Sequence, residues 1–357
     1  MINVLDKGYI RLVEKMGSDW SPLRSARVST GGDEDKNTDN DMDLKDRKLI
    51  QYLLDNGHTS PFESIVLTFE VKAPIFVIRQ WHRHRTWSYN ELSGRYSELP
   101  CEYYVPDEDK IGKQGKLNKQ SRDTSSEVDA SEQIRYFIEA CNSADGDYRY
   151  LLDNEWPREI ARAVLPVNWY TRMYATVNLH NLFGFLRLRN HSHAQYEIRE
   201  YAKAIEEIVK AHFPVIYYAW KKSQQSKYLK GVRQFHEKFG LGWESSPRWI
   251  PDMQDFRIKF MQEELDEYKE AVANKDMVKA FDALLDLVYV TVGTAHLHGF
   301  PFDEGFEAVQ EANMLKQKAK SADESKRGSA FDVVKPEGWV APEEKLNQLL
   351  KEASTCL

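Results

Sequence analysis

Apolar residues alternate along residues 64–72: Ile65, Leu67, Phe69 and Val71 fall on one side, and Ser64, Thr68, Glu70 and Lys72 fall with Val66 on the other. A period of two predicts a strand with one face buried. Upstream, residues 44–56 read as a helix stopped by Gly57. Pro74 stands where a helix can begin, at its first position. The run PIFVIRQWHRHR is therefore predicted to be a short helix with an apolar start and a basic end. Residues 131–220 read as mostly helical, and YEIREYAKAIEEIVKAHFP is closed by Pro214. The polar runs at 30–41 (TGGDEDKNTDND) and 107–130 read as exposed loops.

Residues 221–231, KKSQQSKYLKG, are polar, lysine-rich and end in glycine, which marks a connector. We expect domains at 1–222 and 232–357 with a linker at 223–231. Beyond it the pattern is helical and acidic, with no strand signal. Glu263, Glu264 and Glu267 share one side of a helix, with Ile258, Met261, Leu265, Tyr268 and Val272 opposite. Residues 280–293 are apolar almost all round, which predicts a buried helix. Asp282 and Asp286 interrupt it four residues apart, and buried carboxylates need a cation or hydrogen-bond partners.

The 357 residues suffice for two domains, and 41% hydrophobic residues suffice for real cores. A net charge of -7 disfavours a nucleic-acid-coating role, so basic clusters must be local sites. Cys101, Cys141 and Cys356 are odd in number and far apart, which argues for a reducing compartment and against disulfides or a zinc knuckle. The charged N-terminus carries no signal-peptide core, and no apolar stretch approaches 18 residues. We therefore expect a cytoplasmic protein with no membrane partner.

The stretch 83–96, RHRTWSYNELSGRY, sets three arginines and a histidine beside serines and a glycine. Arginine forks grip phosphate, and glycine lets backbone N–H groups approach an anion. By composition alone it reads equally as a solvated basic turn. The pattern R-H-R-x-x-S-x-N-E-x-S-x-R-Y is met at every fixed position, and it resembles the signature of flavin-dependent thymidylate synthases. HTSPFE, VKAPIFVIRQW, ARAVLPVNWYTRMYATVN and LRLRNHSHAQYEI resemble further segments of that family in the same order, over roughly residues 1–220.

That resemblance implies an α+β fold, a sheet with packed helices, and reductive methylation of dUMP by methylenetetrahydrofolate with FAD and NADPH. It implies that Gln80, Arg83, Glu91, Leu92, Ser93, Gly94, Arg95, Arg162 and Arg189 hold dUMP, with Arg189 favouring ionisation of the uracil ring. Ser60, Arg83, His84, Arg85, Glu91, Asn178, His180 and His193 would contact FAD. His180 and Gly184 depart from the family pattern, where arginine and asparagine are common. The resemblance also implies a homotetramer and no cysteine nucleophile. No G-x-G-x-x-G fingerprint is present, and His82, His84, His191 and His193 do not have zinc-site spacing.

The acidic pattern E-E-x-x-E followed by D-x-x-x-D resembles the all-α nucleotide pyrophosphohydrolases of the MazG-like group, over about residues 231–345. This implies an all-α helical bundle in which Glu263, Glu264, Glu267, Asp282 and Asp286 hold Mg²⁺ or Mn²⁺. Asn313 and Lys316 would hold the base or phosphate of a nucleoside triphosphate, either dUTP or dCTP. A non-catalytic binding or assembly module is the alternative.

Overall fold

The computed structural model describes residues 1–29, 31, 42–115, 122–123, 129–191, 193–329 and 331–355. Apart from Gly31, the run at 30–41 lies outside them, as do residues 116–121 and 124–128 of the predicted 107–130 loop, and Cys356. The chain divides into two units, Met1–Ser223 and Gln224–Leu357.

The first unit is built on strands β1 (Ile2–Val4), β2 (Gly8–Met16), β3 (Val66–Pro74) and β4 (Ser88–Glu91). A two-residue hairpin, β5 (Lys113–Gln114) with β6 (Arg122–Asp123), stands apart, and β7 (Tyr170–Asn178) returns to the main sheet. The sheet order is β1-β2-β3-β7-β4, and every pairing is antiparallel. Its helices are α1 (Ser21–Val28), α2 (Leu44–Asp55), α3 (Ile75–Trp81), α4 (Ser131–Asp153), the short α5 (Arg158–Ala161), α6 (Leu179–Arg189), α7 (Tyr196–His212) and α8 (Pro214–Ser223). One core joins the sheet to α2, α3, α6, α7 and α8 through Leu67, Phe69, Val71, Trp81, Phe185 and Ile205. Burying an aromatic of this size stabilises by about 1.5–3 kcal/mol.

Two predicted elements differ. Residues 131–220, read as mostly helical, contain β7, which pairs with β3 over its whole length from Val66↔Asn178 to Pro74↔Tyr170. Met173, Ala175 and Val177 are buried while Arg172 and Tyr174 are exposed, a period of two that the flanking helical pattern masked. The run PIFVIRQWHRHR is helical only to Trp81, and Pro74 is extended (φ -61°, ψ 146°), ending β3 and preceding the helix. The Tyr89 hydroxyl shares its one proton between the Trp81 carbonyl (3.0 Å) and the His84 carbonyl (2.9 Å), which binds residues 82–87 as a turn.

The second unit is helical: α9 (Lys227–Phe239), α10 (Pro251–Ala273), α11 (Met277–Leu297), α12 (Phe302–Met314) and α13 (Glu343–Thr355), with a two-residue pair β8 (Gln317–Lys318) and β9 (Val333–Val334). Residues 227–231, expected in the linker, are the start of α9. The Ser226 side chain accepts from the Leu229 N–H, and Leu229 and Val232 are buried three apart, so the helix starts early.

The faces of α10 and α11 also differ from expectation. The buried residues of α10 are Arg257, Glu264 and Ala271, seven apart, whereas Ile258 is 61% exposed and Leu265 and Val272 are exposed too. On α11, Ala283, Val290, Val292, Gly293 and Leu297 are buried, while Phe281 is 64% exposed and Asp282 and Asp286 face outward. The neighbouring helices of one chain cover only part of α11's circumference. Among the described residues α11 is the one helix long and apolar enough to cross a membrane. Its two aspartates and its packing against α9, α10 and α12 argue for a place in the helical unit.

Candidate active sites

The 82–87 turn lies between α3 and β4, above a floor of aromatic rings. Trp81 and Trp87 pack on Phe185 with centroids 4.9 and 5.2 Å away, so the turn is supported from α6 below. Arg189 ends α6 and reaches this turn. Its Nε donates to His84 Nε2 (2.9 Å), its Nη2 to the Gln80 carbonyl (3.2 Å) and its Nη1 to Gln80 Oε1 (3.4 Å). Burial holds the His84 imidazole down to about 4, with the Arg189 charge adding to it. Burial also lowers Arg189, and the nearby Arg83 cation lowers it further. Four sequence-predicted residues, Gln80, Arg83, His84 and Arg189, are thus brought together as a fixed, cationic, donor-rich edge. Arg83 and Arg85 are exposed, and among the described residues no carboxylate pairs with either. Two uncommitted guanidiniums beside a pinned turn suit a phosphate-bearing ligand.

Glu91 ends β4 opposite Met173, and the Leu92 N–H donates to the Arg172 carbonyl (2.8 Å). The chain then turns through Ser93, Gly94 and Arg95. A Cβ on Gly94 would lie 3.1 Å from Arg162 Cδ, so the glycine lets Arg162 approach the backbone closely. Arg95 Nε lies 3.6 Å from Glu159, with both side chains more than half exposed.

The remaining predicted cofactor residues lie elsewhere. Asn178 caps α6, accepting from the Asn181 N–H at 2.9 Å, and pairs with Val66 just after the Ser60–Ser64 turn that holds Ser60. His180 stands in the first turn of α6. An α-helix of this length puts Asn178 and His180 roughly 15 Å from Arg189. His193 is exposed, its ring 4.8 Å from that of His191. A Cβ on Gly184 would meet nothing within 4 Å, so the departure at that position relieves no crowding.

Two residues that sequence reasoning did not single out sit behind Gln80. Gln195 and the buried Glu197 continue its hydrogen bonds inward. Both lie within HAQYEI, and the polar residues on either side of Tyr196 were the available signal.

In the second unit, Glu264 is 8% exposed. Burial pushes its carboxyl upward, as do the charges of Asp286, Glu267, Glu263 and Asp282. The other four sequence-predicted carboxylates therefore all lie within electrostatic reach of Glu264, and each of these charges is negative. This hard-oxygen donor set fits a divalent cation in kind. Among the described residues, however, no three His, Cys, Asp or Glu side chains are gathered closely enough to hold one. Asn313 and Lys316 close α12, away from the acidic set in their contacts. Lys316 Nζ lies 5.6 Å from the Trp339 ring centre and Lys335 Nζ 4.0 Å, and the Trp339 indole donates to the Ala312 carbonyl.

Residues 11–215 match the family model described as thymidylate synthase complementing protein. The chain belongs to the flavin-dependent thymidylate synthase family. A Thermotoga neapolitana protein of that name is 48% identical over 219 residues, covering 61% of this chain and 93% of that protein. One from Treponema denticola is 42% identical over 280 residues, covering 76% and 90%. A crystal structure of a UMP/dUMP methylase from Streptomyces cacaoi bound with 5-Br dUMP is similar at 38% identity and TM-score 0.55, over 62% of this chain and 97% of that one. The first unit is thus a synthase unit with the sheet-and-helix fold of its family. Residues 232–313 of the helical unit match the phosphoribosyl-ATP pyrophosphohydrolase family model.

Proposed function

We propose that residues 1–222 methylate dUMP reductively with methylenetetrahydrofolate and that residues 232–357 hydrolyse a deoxynucleoside triphosphate, dUTP or its rival dCTP, to monophosphate and pyrophosphate. The convergence of Arg189, His84 and Gln80 on the 82–87 turn carries the first part. Arg83 and the Glu91–Arg95 segment, with Arg162 against Gly94, would hold the nucleotide phosphate and sugar. Arg189 would face the uracil ring, where a fixed cation stabilises charge developing on N3 without reorganising. Neutral His84 holds Arg189 in that pose by accepting from Nε.

FAD would supply the hydride chemistry when bound, with NADPH as the proposed reductant. Arg83, His84 and Arg85 would hold it at one end, and Ser60, Asn178, His180 and His193 at the other. The distance along α6 between these two groups supports a site shared between subunits of a homotetramer.

In the helical unit, Glu263, Glu264, Glu267 and Asp286 would hold Mg²⁺ or Mn²⁺, with Asp282 beside them; the ion supplies an activated water and charge neutralisation. The two activities share dUMP, which supports dUTP as the substrate. The second reading, a non-catalytic assembly module, is favoured by the ungathered carboxylates and the exposed apolar face of α11.

A panel of dUTP, dCTP and phosphoribosyl-ATP with Mg²⁺ and pyrophosphate detection tests the second activity. Release from dUTP supports it, and silence from all three favours the assembly module. Arg189→Ala is expected to reduce dUMP methylation at least roughly 100-fold while leaving pyrophosphate release intact. Equal loss of both would contradict separate sites.

A further inference from the structure

We propose that Gln195 and Glu197 are positioning residues of the pyrimidine site: a one-way hydrogen-bond chain anchored on the Glu197 carboxylate fixes the Gln80 amide and, through it, the pose of Arg189. The proposal rests on the reading of Arg189 as the cation that faces the pyrimidine.

The chain has two ends of fixed polarity. A guanidinium only donates, and a carboxylate only accepts. Arg189 Nη1 donates to Gln80 Oε1, so the oxygen of that amide faces Arg189. The nitrogen of the same amide then points the other way and donates to Gln195 Oε1. Gln195 must in turn aim its nitrogen inward, and it donates to Glu197 Oε2 at 2.8 Å. Reversing either amide would set nitrogen against nitrogen at one end and oxygen against oxygen at the other. Both orientations are therefore dictated by the ends.

The inner end is held firmly. Glu197 is 1% exposed. It accepts from Arg122 Nη2 at 2.6 and 2.8 Å and from the Tyr104 hydroxyl at 3.2 Å. Gln195 precedes α7 and Glu197 lies in its first turn, and α7 packs on α3, which carries Gln80. Rigid elements thus hold both ends, and Glu197 acts three links away from any substrate.

The test uses the full chain loaded with FAD, reading kcat and KM for dUMP and the change in flavin absorbance on adding dUMP. Gln195→Met cuts the chain and leaves the carboxylate in place. Glu197→Gln keeps the shape but turns a nitrogen toward Gln195, because Arg122 and Tyr104 retain the oxygen. That reverses Gln195 and then Gln80, and presents an N–H to Arg189. Each variant is expected to raise KM for dUMP roughly tenfold, equivalent to one lost bond of about 1.4 kcal/mol, with unchanged flavin content and little change in KM for the reductant.

The double variant Gln195→Glu with Glu197→Gln moves the acceptor one link outward, where it receives both neighbouring amides. It is expected to return KM to within roughly threefold of the unaltered protein. A purely structural role for Glu197 predicts no such rescue. A double variant that binds FAD normally but stays as impaired as Glu197→Gln overturns the proposal. So does a normal KM for dUMP in Gln195→Met, which decides alone if Glu197→Gln does not fold. Arg189→Ala separates the two levels. If it is impaired while Gln195→Met is not, only the chain is wrong; if it too is unimpaired, the site reading falls with it.

Discussion

His84 shows how one residue's surroundings set its chemistry. Arg189 Nε donates to its Nε2, so the neutral ring carries its proton on Nδ1. Burial and the Arg189 charge keep it neutral down to about pH 4, against an ordinary value of 6.5. Between those values the unfolded chain binds a proton that the folded chain refuses. Stability is therefore expected to fall as pH drops from about 6.5 to about 4. Thermal unfolding of the unaltered protein and of His84→Asn checks this. The difference in Tm should move against the unaltered protein across that window, and a constant difference would contradict it. His84 was legible in the sequence as part of the basic motif, but its neutrality was not. Neutrality comes first from burial in the folded unit, with the charge of Arg189, more than a hundred residues away in the chain, adding to it.

Among the elements, the 82–87 turn is made by what holds it. The Tyr89 hydroxyl, on β4, captures the carbonyls of Trp81 and His84 and so ends α3. Tyr89→Phe removes this shared hydrogen bond and should cost about 1 kcal/mol, lowering Tm by roughly 2–4 °C. It should also raise KM for dUMP, because Gln80, Arg83 and His84 lose their fixed spacing. An unchanged KM would show that the turn is held otherwise. Elements with strong local signals were readable. α2 carries Asp43 and Asp46 in a reciprocal cap, and β3 alternates cleanly. β7 was hidden among helices because its identity comes from pairing with β3 and β4 on both sides. On α10 the periodicity suggested the wrong inner face, because the stripe turned inward carries Arg257 and Glu264.

At the scale of the whole molecule, Glu264→Gln asks whether the helical unit is an enzyme and whether it is independent. Pyrophosphate release is expected to fall roughly 100-fold with dUMP methylation unchanged. Without metal, the same change removes a buried carboxylate from among four others and should raise the unfolding temperature of that unit by roughly 2–5 °C. A lowered unfolding temperature would mean that Glu264 has a stabilising partner and that the acidic set is structural.

By itself the sequence determined that a synthase unit and a helical unit resembling pyrophosphohydrolases share this chain, because the arginine-rich motif and the spaced carboxylates are written in local order. It also determined most single elements, whose periodicity and caps act within a few residues. Tertiary structure alone decided which of those groups meet. Arg189 reaches His84 and Gln80 only because α6 crosses beneath α3. Glu197 becomes a buried anchor only because α7 closes over the same place. Contacts between distant residues depend on packing, and packing minimises exposed surface over the whole unit, which no local pattern encodes.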